Sequence, residues 1–283
     1  MSLSFHEAVI RLLKQGKRLA IATVIDATGS TPRKEGARMA VTEEGAAVDS
    51  IGGGALEAMV VEDAKVLLRS GGSLVKEYLL KEGQSPESTG MVCGGRVRVL
   101  LQVELPPERL VIFGAGHVGR ALAALASGLG FAATVVDDRP EFLDATRFPA
   151  AVELWQAGPG FDGELPPVDG STYVAVVTRC HRTDLEALRR ALETPARYLG
   201  LIGSRRKVRL ILERLRQEGF SDACLDTLRA PIGLPIGACT PEEIAVSIAG
   251  EMIQVRRGFA PARGPSLALP VPRLTERHRR RDA

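Results

Sequence analysis

The chain has 283 residues, of which 45% are hydrophobic and 25% charged, and its formal net charge is +3. That length predicts two domains, and the composition is that of an ordinary water-soluble globular protein. No apolar run reaches the roughly eighteen residues that span a bilayer, and the charge excess sits in the terminal "RLTERHRRRDA", so neither a membrane nor a nucleic acid is an expected partner.

In chain order, Ser4 and Glu7 form an S-x-x-E capping pattern, which predicts an amphipathic helix to about Gly16. "RLAIATVID" and "ARMAV" are β-branched or apolar runs flanking the polar loop "ATGSTPRKEG", and they read as strands. After "AAVDSIGGG" comes a helical stretch, "ALEAMVVEDAKVLLRS", closed by Gly71 and Gly72. "SLVKEYLL" and "RVRVLLQVEL" supply further strands. The expected unit is small and α+β, covering residues 1–104.

"ELPPER" follows, and its two consecutive prolines mark residues 105–109 as a stiff linker. The rhythm then becomes strand–helix–strand. "LVIF", "AATVVD", "VELWQAG", "YVAVVT" and "YLGLIG" alternate with helical segments at about 117–129, 184–192 and 205–219, and "PEEIAVSIAGEMIQVRRG" ends the series. Such alternation predicts a parallel sheet with helices on both faces, a Rossmann-like α/β domain over 110–258. The Pro/Arg-rich remainder, 259–283, reads as a disordered tail.

The N-terminal "MSLSFHEAVIRLLKQGK" has none of the parts of a signal peptide. Cys93, Cys180, Cys224 and Cys239 are widely spaced, with no CxxC pair. That pattern argues against zinc or iron–sulfur sites and suits a reducing compartment, the cytoplasm by default.

Gly114, Gly116 and Gly119 form G-x-G-x-x-G directly after "LVIF" and at the start of a helix. The first glycine permits a tight turn, the second lets a pyrophosphate approach, and the third lets helix and strand pack closely. His117 lies inside this turn, where it would face phosphate. Asp137 stands where an acid reads a ribose 2′-hydroxyl, and Arg139 two residues on would suit a 2′-phosphate, so NAD and NADP both remain open. A hydride-transfer apparatus is missing. His181 is a weak acid–base candidate, or only a loop residue beside a helix capped by Thr183.

Three other clusters carry chemistry. Ser30, Thr31, Arg33, Lys34 and Arg38 in "GSTPRKEGAR" suit an anionic ligand, or form a solvated basic turn. Gly52, Gly53 and Gly54 open a helix and offer backbone N–H groups as a second anion nest. Gly203, Ser204 and Arg205 place an N-cap and a cation at a third helix start. Cys239 precedes a capping box made by Thr240 and Glu243 and reads mainly as incidental. Cys93 is followed by two glycines, and as a soft thiolate it is the one candidate metal ligand.

Taken together, "GSTPRKEGARM", "SIGGGALE", "CGGRVRV", "FGAGHVGRALA", "VVDDRPEF", "LIGSRRK" and "PIGLPIGACTPEEIAVSIAGEM" resemble the XdhC/CoxI family, maturation factors of xanthine and carbon-monoxide dehydrogenases. The resemblance runs from about residue 8 to 256 and departs from the pattern at Cys180. It implies a chaperone rather than an enzyme. Such a protein binds the molybdenum cofactor (a phosphorylated pterin dithiolene), supports its sulfuration with a cysteine desulfurase, and delivers it to an apo molybdenum hydroxylase. The residues that match are Gly29 to Lys34, Gly36 to Arg38, Gly52 to Gly54, Glu57 and Cys93, with Gly114, Gly116, His117, Gly119, Asp137, His181 and Gly203 to Arg205 in the second half. A homodimer is a further expectation. The competing readings are an NAD(P)-dependent oxidoreductase and a partner-binding scaffold with a vestigial nucleotide site.

Overall fold

The computed structural model describes residues 3–29, 31, 33–80 and 95–259. The chain divides into two compact units at Pro107/Glu108.

The first unit is a five-stranded antiparallel sheet with helices. It comprises α1 (Leu3–Lys14), β1 (Leu19–Thr28), β2 (Arg38–Thr42), β3 (Ala47–Asp49), α2 (Gly54–Ser70), β4 (Ser73–Leu80) and β5 (Gly95–Glu104), with strand order β3-β2-β1-β5-β4. β1 and β5 are ten residues each and pair along nearly their whole length, so the central strands are longer than the short ones the sequence suggests. Alternation decides which face is covered. Ala20, Ala22 and Val24 of β1 and Val97, Val99 and Leu101 of β5 point one way, and they are buried with Leu56, Val60, Ala64 and Leu67 of α2. At one edge of this core the Tyr78 hydroxyl donates to Asp63 Oδ2 at 2.6 Å, while Lys76 Nζ lies 2.9 Å from both oxygens of the same carboxylate. The helix begins at Leu3, so Ser4 lies within the first turn of α1 rather than ahead of it.

The second unit contains β6 (Arg109–Phe113), α3 (His117–Gly128), β7 (Ala132–Asp137), β8 (Glu153–Gln156), β9 (Tyr173–Val176), α4 (His181–Leu192), β10 (Tyr198–Leu201), α5 (Arg205–Gln217), α6 (Asp222–Leu225), β11 (Leu228–Arg229) and α7 (Pro241–Arg256). The sheet is six-stranded, with order β11-β10-β9-β6-β7-β8 and every pair parallel. Counted from β6, that is the doubly wound order 3-2-1-4-5-6, whose direction reverses between β6 and β9. Both faces are buried, as a parallel sheet requires. Leu110 and Ile112 of β6 pack on the side of α3 and α7, with Ala123, Ile248 and Met252. Val111 and Phe113 pack on the side of α4 and α5, with Leu188, Val208 and Leu215.

Local signals set several boundaries in this unit. Ser204 caps α5 by accepting from the Lys207 amide at 3.3 Å. Thr240 and Glu243 make the expected capping box, with Pro241 at the first helical position of α7. α4 differs from expectation. It begins at His181 with Cys180 as N-cap, and Thr183 sits buried inside its first turn.

Candidate functional site

In the first unit the loop between β1 and β2 begins at Gly29, whose φ is +80°, and turns back at Gly36, with φ +85°. The Gly36 amide donates to the Val24 carbonyl, and the Val24 amide to the Ala37 carbonyl, both at 2.9 Å. This pins the start of β2, and with it Arg38. A cavity of about 350 Å³ forms here, lined by Arg33 and Arg38, by Phe5 and His6 of α1, by Asp49 at the end of β3 and by Ser50 after it. Arg38 Nε is fully buried and has no hydrogen-bond partner among the described residues. A buried donor left unfilled costs free energy, and a guanidinium is built to bind an oxyanion through two donors. The arrangement can therefore take an oxyanion.

Of the other residues expected in this region, Thr31 and Lys34 do not line the cavity. Ser30 and Cys93 lie outside the described residues, and so does the tail over 260–283. Phe5, His6, Asp49 and Ser50 were not foreseen, because three segments far apart in the chain bring them together.

The glycine nest before α2 is a correction. Its anion is the chain's own Glu57. One carboxylate oxygen, Oε1, accepts from Ser50 Oγ at 2.6 Å, Gly53 N at 2.8 Å, Ile51 N at 3.0 Å and Gly52 N at 3.2 Å. Burial is the largest single influence on Glu57 and raises its pKa, but the four hydrogen bonds together outweigh it and hold the pKa below the usual carboxylate value. The nest keeps Ser50 beside the cavity, and Gly52 to Gly54 and Glu57 build the loop without lining it.

In the second unit each glycine of the G-x-G-x-x-G turn has its own reason. Gly114 has φ +116°, and a Cβ there would lie 2.6 Å from the Val177 carbonyl oxygen. A Cβ on Gly119 would overlap the Gly114 carbonyl oxygen outright, so helix and strand pack backbone to backbone. A Cβ on Gly116 would meet nothing within 4 Å, which leaves this backbone open to approach. The cavity at the switch point holds about 410 Å³ and is lined by Gly114, Gly116, His117, Arg139, Phe142 and Arg179 among others. Its position and open amides suit a nucleotide phosphate.

Asp137 and Arg139, the two alternatives for reading a ribose, are paired with each other. Asp137 is 1% exposed, and its Oδ2 accepts from the Ala115 amide at 2.7 Å and from Arg139 Nη2 at 3.0 Å. Its Oδ1 takes Arg139 Nε at 2.9 Å. The Arg139 guanidinium also lies 3.6 Å over the Phe142 ring. Next to them Arg179, after β9, grips Asp138, after β7, through contacts of 2.5 and 3.0 Å. Because β6 lies between those strands, this bidentate pair crosses above the glycine turn. The Arg179 contact, opposed by burial, lowers the Asp138 pKa.

The third cluster divides. Ser204, together with Cys180 and His181, lines a separate cavity on the α4–α5 flank, whereas Gly203 and Arg205 line none of these three cavities. His181 is exposed at the first position of α4, so it is neither a loop residue nor part of the glycine-turn cavity. Cys239 is exposed and lines none of the three. No cluster of three or more His, Cys, Asp or Glu that could hold a metal occurs among the described residues, and no helix among them is long and apolar enough to cross a membrane.

A parallel doubly wound sheet with a glycine turn at its switch point, in a chain that also carries an antiparallel-sheet unit, defines a two-unit Rossmann-type protein. The family follows from the sequence. Residues 110–252 match the XdhC Rossmann domain and residues 12–78 match the XdhC and CoxI family. The chain belongs to the XdhC and CoxI family.

Over 253 residues the chain is 38% identical to YqeB of Escherichia coli, covering 89% of this chain and 46% of that protein. It is 33% identical over 158 residues to a probable xanthine dehydrogenase component of Bacillus subtilis, covering 55% and 45% respectively. The chain thus spans about half the length of these two relatives. It is 24% identical to the molybdenum cofactor insertion chaperone PaoD of Escherichia coli, covering 89% of each. The crystal structure of a xanthine dehydrogenase from Bacillus halodurans is similar with a TM-score of 0.50 and 26% identity, over 92% of this chain and 97% of that one.

Proposed function

We propose that this chain is a maturation factor for a molybdenum hydroxylase of the xanthine dehydrogenase type. It binds the phosphorylated pterin cofactor of molybdenum as cargo, keeps it through sulfuration with a cysteine desulfurase, and hands it to the apo-hydroxylase in the cytoplasm, itself working as a homodimer and as a carrier rather than a catalyst. The observation that carries this reading is the Arg33–Arg38 cavity with its unfilled Arg38 Nε. A phosphate accepts from that guanidinium side-on and relieves the buried donor, while Ser50 and His6 offer further polar contacts at the rim. The names of PaoD and of the Bacillus subtilis relative support the same direction.

Anaerobic incubation of the full chain with molybdopterin released from a hydroxylase, followed by gel filtration and fluorescence assay of the oxidised pterin, tests the proposal. Wild type should retain pterin, and Arg38→Ala should lose at least about tenfold in affinity, the worth of one charge-assisted contact. Absence of retention by wild type overturns the reading.

The open backbone at Gly116 favours a second reading in which the Rossmann cavity holds a nucleotide. Calorimetric titration with NAD, NADP and their fragments tests it, and no heat with any of them sinks it.

A further inference from the structure

A cavity of about 570 Å³, the largest of the three, is neither the glycine-turn site nor the Arg33–Arg38 site. It opens between α4 and α5, on the opposite face of the sheet from α3 and α7. Its lining is sorted along the helices. Near their starts stand His181 on α4 and Ser204 and Arg206 on α5. One turn further along, the lining becomes Leu185, Leu210 and Ile211.

The free charge lies at the first end. Lys207 is committed to the buried Asp184 carboxylate, and Arg214 is shared with Glu218 at 2.8 Å. Arg206 and His181 have no ion-pair partner among the described residues. The apolar end is also unsatisfied, since Leu210 is 58% exposed on a helix otherwise dominated by charge. A volume of this size is typical of small-molecule sites, which are mostly apolar with a few polar groups fixing orientation.

We infer that the α4–α5 cavity binds a small amphiphilic oxyanion, a carboxylate or phosphate head on an apolar body, with the head at Arg206 and His181 and the body along Leu185, Leu210 and Ile211. The guanidinium supplies the charge-assisted contact and the leucines the apolar burial, so neither a bare ion nor a neutral apolar molecule satisfies the whole cavity. This site is independent of the carrier reading, because none of its lining residues belongs to the Arg33–Arg38 cavity.

The full chain is titrated by calorimetry with decanoate and with 1-naphthyl phosphate, and with inorganic phosphate and 1-naphthol as head-only and body-only controls. Peptide mapping then follows alkylation of Cys180, which lines the same cavity. At least one amphiphile should bind at least about tenfold more tightly than either control and should slow Cys180 alkylation. Arg206→Ala and Leu210→Gln, both at exposed positions, should each weaken that binding about tenfold without shifting the melting temperature. The two amphiphiles distinguish a carboxylate from a phosphate head. No binding by either, binding no tighter than the controls, or binding indifferent to both variants overturns the inference.

Discussion

Glu57→Ala tests whether the glycine nest before α2 is built around an internal anion. One oxygen of Glu57 gathers four donors between 2.6 and 3.2 Å, three of them backbone amides. A hydrogen bond to a charged group contributes about 1.5–3 kcal/mol, but four donors sharing one oxygen do not add fully. Gly52 and Gly53 are half-buried, and water can replace part of what they lose, whereas Ile51 is 1% exposed and its amide is the hardest to re-satisfy. The net loss should be about 2–4 kcal/mol for Glu57→Ala, and less for Glu57→Gln, which keeps an acceptor and loses the charge. Urea unfolding followed by far-ultraviolet circular dichroism measures the loss, and hydrogen exchange of the 51–53 amides shows whether it is local.

The same carboxylate sets a pH dependence. Because the folded pKa of Glu57 is lowered, the unfolded chain takes up the proton first. Its contribution is complete above the ordinary glutamate value of about 4.3 and is lost as pH falls through the lowered folded value. The stability gap between wild type and Glu57→Ala should therefore be wide at pH 7 and narrow in acid. An alanine variant within about 0.5 kcal/mol of wild type at pH 7, with unchanged amide exchange, refutes the reasoning.

Two further predictions concern the second unit. Gly119→Ala forces a methyl onto the Gly114 carbonyl and should cost about 3 kcal/mol or more in a melting experiment. Gly116→Ala, whose methyl meets nothing, should melt like wild type while weakening any nucleotide in the glycine-turn cavity, and equal melting of the two variants contradicts the packing argument. The Cys180 thiol is lowered in pKa first by its hydrogen bond with the Thr183 side chain and then by the Thr183 amide, against the effect of burial. Thr183→Val should raise the pH at which iodoacetamide reacts with Cys180, with Thr183→Ser restoring the profile, and an unmoved profile removes the hydroxyl from the explanation.

Much of the fold was legible because its signals are local. Ser204 and the Thr240–Pro241–Glu243 box mark helix starts within four residues, and apolar runs such as "LVIF" and "YVAVV" fit strands buried on both faces. Thr183 misled because it caps well in isolation. Here its hydroxyl lies 2.7 Å from that of Thr178, and the helix starts three residues earlier than expected, from a cysteine that has no side-chain cap bond. α6 and β11, of four and two residues, are too short to leave a period. The Arg33–Arg38 cavity was half legible. The arginines stand out in a glycine-bounded loop, but Phe5 and His6 reach the cavity through tertiary packing, and nothing in α1 marks them.

Glycine-rich loops raise a more general point about reading anion sites from sequence. Both "SIGGG" and "FGAGHVG" offer backbone donors, and in both a carboxylate of the chain itself takes part of the offer, Glu57 in the first and Asp137 through the Ala115 amide in the second. The difference is stoichiometric. Glu57 takes three successive amides and a hydroxyl and fills its nest, whereas Asp137 takes only the Ala115 amide from its glycine turn, its other amide being that of Arg139, and leaves the Gly116 backbone open. Placement along the chain explains why. An acid in the first turn of the helix that the nest opens can fold back onto the preceding amides, as Glu57 does. An acid at the end of the neighbouring strand reaches only the near side of the turn, as Asp137 does from β7. A glycine nest whose own helix carries a glutamate in its first turn is therefore better read as a self-closed loop. A nest whose acid comes from the next strand keeps its capacity for an external phosphate.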